Sequence, residues 1–259
     1  MWLSTFFGAA ETPYTRAVGA AWLISLMARA SRPGCQVKYS LILEGAQDLG
    51  KSRAIAALIG QSWFTDEIAD FGSKDAAISL RSKWCVELAE LDSLGRAEAN
   101  RAKAFLSRQV DHYRPPYGRT AKDFPRQCCF IGTTNEGDYL KDATGGVRFW
   151  PVACTFADVE GIARDREQLL AEAFARFQDG EPWHLRDRSL IEAAREEQRH
   201  RYHGDPWDDE VARYVEGAPR HHPGDSSRGL QPRARAPRPA GDEPRGARAA
   251  LAPVAAATR

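Results

Sequence analysis

The residues from Gly45 to Ser52 read GAQDLGKS, and they match the spacing GxxxxGK[ST] in full. In this pattern the backbone N–H groups of a glycine-rich loop point at phosphate oxygens, and the N-terminus of the next helix adds a favourable dipole. We therefore predict a nucleotide site in which Lys51 contacts the β- and γ-phosphates and the Ser52 hydroxyl joins a Mg²⁺ shell. The predicted phosphate-binding residues are Gly45, Ala46, Gln47, Asp48, Leu49, Gly50, Lys51 and Ser52.

Such a site needs a carboxylate near the Mg²⁺ and the attacking water, and the sequence offers two candidates. The mainly apolar stretch WCVELAELD (84–92) is predicted to contain a strand, and Glu87 and Glu90 lie close to its end. Burying Glu87 among apolar residues is costly unless its carboxylate meets a cation or a donor, which favours a functional role. Both residues are therefore predicted as catalytic and metal-binding candidates, and the sequence leaves the choice between them open.

Two further polar residues are candidates for the same chemistry. The apolar run CCFIG (128–132) ends in Thr-Thr-Asn, so Asn135 follows a predicted strand and could orient the attacking water. Arg148 stands between a glycine pair and two aromatic residues in GGVRFWPV (145–152). A rigidly held guanidinium of this kind can stabilise γ-phosphate charge, often from a neighbouring subunit.

The pattern of apolar runs indicates which elements position these residues. Apolar runs at 39–43, 84–88 and 127–132 predict buried strands, and 110–124 is predicted to form a hairpin because it is polar and rich in proline. Helices are predicted at 17–30, 53–60, 74–83, 97–108, 162–177, 189–202 and 206–216. This alternation predicts an α/β fold with a parallel central sheet and helical flanks.

The predicted hairpin carries cations interleaved with aromatic residues. Arg114, Tyr117, Arg119 and Lys122 all lie within this segment. Cationic side chains attract phosphates and aromatic rings stack on bases, which is how single-stranded nucleic acid is commonly bound. We predict these four residues as a nucleic-acid contact, the alternative being a solvated hairpin that packs its tyrosines.

The near-neutral charge of the whole chain hides two different segments. The 259 residues carry 36 Lys+Arg and 35 Asp+Glu, a formal net charge of +1. Residues 217–259 contain eight arginines, three acidic residues, seven of the 15 prolines and no aromatic residue. Because such a segment buries too little apolar surface to offset its ordering entropy, we predict that it is disordered. The abrupt change in composition also suggests a frameshifted reading of GC-rich DNA, which sequencing the downstream DNA would test.

The cysteines and the hydropathy predict a cytoplasmic protein. The five cysteines contain no CxxC spacing, and three lie in apolar strand-like runs where small buried thiols are common. This usage favours a reducing compartment over a disulfide framework or a zinc site. No run of 18 apolar residues exists, so we expect no membrane-spanning helix.

Taken together, GAQDLGKS, WCVELAEL, VDHYRPPYGRTAKDFPRQCCFIGTTN (110–135) and GGVRFWPV resemble the virulence-associated protein E family of phages and mobile elements. The resemblance covers roughly residues 1–216, and that family is similar to the superfamily 3 helicases, which are AAA+-like P-loop ATPases. It implies that Lys51 and Ser52 bind phosphate and Mg²⁺, that Glu87 or Glu90 is the acidic residue, that Asn135 is the sensor and that Arg148 is the arginine finger. Asp48 departs from the pattern, since a glycine or small residue is usual there.

The resemblance implies an ATP- and Mg²⁺-dependent DNA helicase or translocase that acts in replication on single-stranded or forked DNA. A ring of identical subunits follows from the need for Arg148 in trans. The alternative is a nucleotide-gated DNA-binding or assembly module without productive turnover. The predicted organisation is a helical segment (1–36), an ATPase core (37–154), a second helical segment (155–216) and the tail (217–259).

Overall fold

The computed structural model describes residues 1–68, 73–89, 101–102, 104–135, 139–140, 148–202 and 213. The chain divides into two units, Met1–Val211 and Ala212–Arg259, and every element named below belongs to the first. The predicted tail (217–259) lies outside the described residues, as does the predicted helix 206–216 apart from Arg213.

Within the described ranges, seven strands form two sheets. The strands are β1 Ser40–Glu44, β2 Phe64–Thr65, β3 Cys85–Leu88, β4 Val110–Tyr113, β5 Lys122–Pro125, β6 Cys129–Thr134 and β7 Phe149–Ala153. Five of them make a parallel sheet in the order β2-β3-β6-β1-β7, which confirms the predicted parallel α/β architecture. Strands β4 and β5 form a separate antiparallel hairpin.

Helices cover both faces of the parallel sheet. They are α1 Trp2–Phe7, α2 Pro13–Ser31, α3 Lys51–Ile59, α4 Lys74–Ser79, α5 Val159–Gln178 and α6 Arg188–His200. Leu41 and Leu43 face the core shared with α1, α2, α3 and α5, whereas Ile42 faces the core containing residues of α4 and of the helical stretch around Phe105. Side chains of β1 alternate between the faces because the strand is pleated. Strand β1 is therefore packed on both faces, which fixes the position of the loop that follows it.

The helix ends follow from local chemistry. Helix α2 begins four residues before the predicted start, because Pro13 suits the first turn and Thr12 and Thr15 form a reciprocal capping box. The last carbonyls of α3, those of Leu58 and Ile59, accept hydrogen bonds from Arg166 of α5 at 2.8 and 3.0 Å. Helix α3 is therefore secured at the end remote from the loop that precedes it.

Strand β7 was not among the predicted strands. It contains Pro151, which cannot donate a backbone hydrogen bond, and it lies at one end of the described strand order. An edge position tolerates proline because only one side of the strand needs to pair. Among the described residues, no helix is long and apolar enough to cross a membrane.

Candidate functional site

A polar cavity opens at the carboxyl edge of the sheet, where β1, β3 and β6 end. Parallel strands bring the residues that follow them to the same edge, which is where α/β proteins commonly bind ligands. The cavity measures about 360 Å³. Its lining combines the loop after β1 with the ends of the two other strands: Gln47, Asp48, Leu49, Gly50, Lys51, Ser52, Arg53, Ala89, Thr133, Thr134 and Asn135.

The loop between β1 and α3, residues 45–50, adopts a conformation that glycine makes possible. Gly50 has φ +86°, and the Gly45 N–H donates to the Thr134 carbonyl at 3.2 Å. A Cβ atom on Gly45 would lie 2.6 Å from the Cys154 carbonyl oxygen, so glycine is required for this close approach. Asp48 has φ +62°, a left-handed conformation that glycine adopts most readily and aspartate tolerates better than most residues.

Lys51 is buried at the first position of α3 with its ammonium group held by neutral oxygens. Its Nζ donates to the carbonyls of Gly45 and Ala46 at 2.7 and 2.9 Å and to Asn135 Oδ1 at 3.2 Å. Burial lowers the pKa of the Lys51 ammonium group below its usual value. The structure thus brings together two predicted site residues that are 84 positions apart in the chain.

Glu87 lies beside Ser52, and its side chain is buried. Its Oε1 accepts hydrogen bonds from Ser52 Oγ at 2.6 Å and from Thr133 Oγ1 at 2.5 Å. Among the described residues Glu87 Oε2 has no hydrogen-bond partner, although it is buried. Hydroxyl and carboxylate oxygens are ligands that Mg²⁺ prefers, so this pair of side chains fits the predicted metal. Glu90 lies outside the described residues.

A buried ionic cluster supports the start of the loop, and the sequence analysis did not identify it. Glu44, the last residue of β1, accepts two hydrogen bonds from Arg201 at 2.8 Å each and one from the Tyr139 hydroxyl at 2.9 Å. Burial lowers the pKa of Arg201, but the hydrogen bonds and charges of Glu44 and Glu197 outweigh it and raise the pKa overall. A charged residue directly before GAQDLGKS was the available signal, since a buried carboxylate needs a cation.

Arg148 lies at the amino ends of the parallel strands, whereas the cavity lies at their carboxyl ends. It is half-buried and directly precedes β7, whose first residue pairs with Ser40 at the start of β1. Ala153, the fifth residue after Arg148, pairs with Glu44 at the end of β1. At the rise of an extended strand, Arg148 therefore lies about 16 Å from Ala153 along β7. The structure therefore does not bring Arg148 to the cavity of its own chain.

The β4–β5 hairpin projects from the same edge as Arg148, because it directly precedes the start of β6. Arg114, Arg119 and Lys122 are exposed, and Tyr117 at the tip is fully exposed with φ +62°. All four predicted nucleic-acid residues thus lie together on one projecting element.

The base of the hairpin is fixed by buried charges. Arg126 donates to Asp111 through two bonds of 2.6 and 2.7 Å and stacks over the Phe105 ring at 4.2 Å. Buried Arg29 of α2 donates to the carbonyls of Arg126 and Arg108 at 3.3 Å each. Because paired guanidinium groups set the geometry at both strands, the hairpin is held rigidly against the sheet and α2.

The fold and the cavity define an α/β protein with a parallel sheet and a lysine, asparagine, serine and glutamate convergent at its carboxyl edge. The model of the virulence-associated protein E-like domain matches residues 1–203, and the chain belongs to that family. This match confirms the resemblance found in the sequence.

A comparison with solved structures found two apo structures of the C-terminal region of NrS-1. One is 16% identical with a TM-score of 0.49 over 70% of this chain and 47% of that chain. The other is 16% identical with a TM-score of 0.42 over 75% of this chain and 48% of that chain. The chain thus spans about half the length of these structures. No curated protein matches the chain.

Proposed function

We propose that this protein is a P-loop ATPase of the superfamily 3 helicase type, a DNA helicase or translocase acting in the replication of a phage or mobile genetic element. The observation that carries the proposal is the convergence of Lys51, Asn135 and Ser52 at one cavity, with the buried Glu87 carboxylate bonded to Ser52. Family membership supports the same function.

Lys51 and the β1–α3 loop would hold the phosphates of ATP. The three described acceptors of Lys51 Nζ are neutral oxygens, so its positive charge is not neutralised by a carboxylate in direct contact. A triphosphate in the cavity would supply that counter-charge. Backbone N–H groups of the loop and the first turn of α3 would add donors to the phosphate oxygens.

Ser52 and Glu87 would hold Mg²⁺. Their oxygen atoms already lie together, and Glu87 Oε2 has no described partner to lose. A bound Mg²⁺ supplies charge neutralisation at the β- and γ-phosphate oxygens. Glu87 would also accept a proton or a hydrogen bond from the attacking water, and Glu90 is the alternative for that role.

Asn135 would sense the γ-phosphate. Its Oδ1 accepts from Lys51, which leaves its Nδ2 group to donate to a phosphate oxygen or to the attacking water. Because Asn135 directly follows β6 and the hairpin directly precedes β6, one strand joins the nucleotide end of the molecule to the DNA-binding end. A shift of Asn135 upon hydrolysis would reach the hairpin along that strand.

Phosphate release from ATP, measured with and without single-stranded DNA, tests the ATPase. Lys51→Ala should lower turnover by about 10²–10³-fold, because a preorganised cation at the phosphates is lost. Lys38→Ala is the matched control, since Lys38 is exposed near the start of β1, at the far edge of the sheet. Equal turnover in the two variants would refute the assigned site.

DNA binding by the hairpin has its own test. Tyr117→Ala should weaken binding of single-stranded DNA about 5- to 100-fold through lost base stacking. Arg119→Ala should lower the salt dependence of binding by about 0.7 in log–log slope, as expected for one lost phosphate contact. Unwinding of a forked duplex then distinguishes a helicase from the alternative, a DNA-binding or assembly module gated by nucleotide. DNA binding with no ATP turnover in the parent protein would favour that alternative.

Mixed subunits test the ring. Arg148 lies about 16 Å along the sheet from its own cavity, so we propose that it completes the site of a neighbouring copy. Arg148→Ala and Lys51→Ala should each be inactive alone. Mixing them should restore part of the ATPase activity, because a Lys51→Ala subunit can donate Arg148 to an intact cavity. No recovery in a mixture of demonstrated oligomers would overturn the trans assignment.

A further inference from the structure

The segment after β7, residues 154–159, lies against the β1–α3 loop on the side opposite Asn135. The Cys154 N–H donates to the Glu44 carbonyl at 2.7 Å, and its own carbonyl occupies the space beside Gly45. Further along, Ala157 and Val159 lie 3.9 and 3.6 Å from where a Cβ atom on Gly50 would be. Any ligand that emerges from the loop on this side therefore meets the segment 154–159.

The arrangement of the strands fixes the direction in which a nucleotide would emerge. Glu87 on β3 and Asn135 after β6 lie on one side of β1, whereas β7 lies on the other. The reacting γ-phosphate must face the carboxylate and the amide. The nucleoside end of the molecule would therefore point toward β7 and the segment that follows it.

Phe156 is the aromatic residue of the segment 154–159. Its side chain is 45% exposed, which is unusual for a large apolar residue and places it among the six most exposed large hydrophobic residues of the described chain. One side of the ring packs on Gly8, since a Cβ atom there would lie 2.6 Å from the Phe156 ring. Gly8 has φ +62°, so glycine both permits the turn and leaves room for the ring.

The backbone around Phe156 is held firmly. Thr155 N–H donates to the Phe7 carbonyl at 3.1 Å, and Asp158 N–H donates to the Phe6 carbonyl at 2.8 Å. Thr155 Oγ1 donates to the Gly8 carbonyl at 3.1 Å. The backbone that carries the ring is therefore fixed before any ligand binds, which lowers the ordering cost of stacking.

We infer that Phe156 is the platform on which the base of the nucleotide stacks. This inference rests on the proposed function, since it assigns the nucleoside part of the site whose phosphate part is described above. The ligand class is a nucleoside triphosphate with a planar base. Gly8 is the companion residue that seats the ring.

Comparing ATP with inorganic tripolyphosphate, each with Mg²⁺, isolates the contribution of the base. Phe156→Ala should weaken ATP binding about 5- to 100-fold and leave tripolyphosphate binding unchanged. Phe156→Trp should retain ATP binding because the stacking surface is kept. Phe174→Ala is the matched control: Phe174 is 41% exposed, and its position on α5 is about 22 Å beyond Val159 along the helix axis.

Unchanged ATP binding in Phe156→Ala would overturn the inference while leaving the proposed function intact. Equal loss of ATP and tripolyphosphate binding would also overturn it, because the residue would then act only on the structure of the loop. Wild-type protein that binds neither ligand would refute the proposed function and this inference together.

Discussion

Replacing Glu87 by glutamine is expected to change stability and catalysis in opposite directions. Glu87 is 1% exposed, and one of its carboxylate oxygens has no described partner. Glutamine has almost the same shape and keeps one carbonyl oxygen for the Ser52 and Thr133 hydroxyls. The substitution therefore removes the charge and places an amide NH2 group where one of the two carboxylate oxygens lies.

The expected gain in stability follows from two opposing terms. Keeping an incompletely paired carboxylate out of water costs several kcal/mol, and the neutral amide removes this cost. Two hydrogen bonds to a charged acceptor become bonds to a neutral one, a loss of about 1 kcal/mol each, and the new amide NH2 is a buried donor without a described acceptor, a further cost of about 1 kcal/mol. The difference favours Glu87→Gln by about 1 kcal/mol, which corresponds to a rise of roughly 2–4 °C in the Tm of the nucleotide-free protein. ATP turnover should fall about 10²–10⁴-fold if Glu87 is the general base that we propose.

The same substitution on β1, two strands away, should have the opposite effect on stability. The carboxylate of Glu44 is fully paired, so Glu44→Gln removes one of the two carboxylates that bind the Arg201 guanidinium, with Glu197 keeping the other contact, and should cost about 1.5–3 kcal/mol. Urea denaturation without nucleotide, together with phosphate release, measures both variants. A destabilised Glu87→Gln protein that hydrolyses ATP at the parental rate would refute the reasoning about this site.

Three further outcomes are expected. Asp48→Gly should raise ATP affinity severalfold because it removes a carboxylate, and it should raise stability by about 0.4–1 kcal/mol because it relieves a left-handed residue. Asp48→Asn removes the charge alone, so a binding titration of both variants separates the two effects. Parental ATP affinity in both variants would contradict this prediction. Arg126→Met should lower the free energy of unfolding by about 3–5 kcal/mol, because buried Asp111 keeps only the longer 3.9 Å contact with Arg108, and a loss under about 1 kcal/mol in urea denaturation would contradict this account of the hairpin base. Burial raises the pKa of the Cys154 thiol to about 12, so the native state keeps a proton that the unfolded chain loses. This contribution to stability is complete below pH 9 and is lost as the pH rises toward 12, by about 1.4 kcal/mol per pH unit. In urea denaturation between pH 8 and 10, the free energy of unfolding of Cys154→Ala should therefore fall less steeply than that of the parent protein.

Much of the loop and its setting could be predicted because they depend on local sequence. GAQDLGKS combines glycines at the two positions where the backbone needs them with a lysine and a serine that begin a helix. The neighbouring apolar run predicted β1, and the polar, proline-rich sequence of 110–124 predicted a hairpin. Each of these features is set by residues adjacent in the chain.

The parts that could not be predicted depend on residues distant in the chain. Glu44 reads as a charged residue ending a strand, and its partner Arg201 follows 157 positions later. Strand β7 contains Pro151, and a proline is accommodated there because β7 is the last strand of the described sheet and pairs on one side only. The distance between Arg148 and the cavity likewise follows from the parallel pairing of β7 with β1.

The sequence by itself determined the family, the parallel α/β class and the loop, because periodicity and turn chemistry are encoded over a few residues. Only the tertiary structure decided which polar groups meet: Lys51 with Asn135, Ser52 with Glu87, Glu44 with Arg201. The physical reason is that burial makes each unpaired polar group costly, so the native packing is the arrangement in which these distant groups satisfy one another. Glu87 is one of four described residues with a buried polar atom that lacks a partner, and the proposed Mg²⁺ would contact its remaining oxygen.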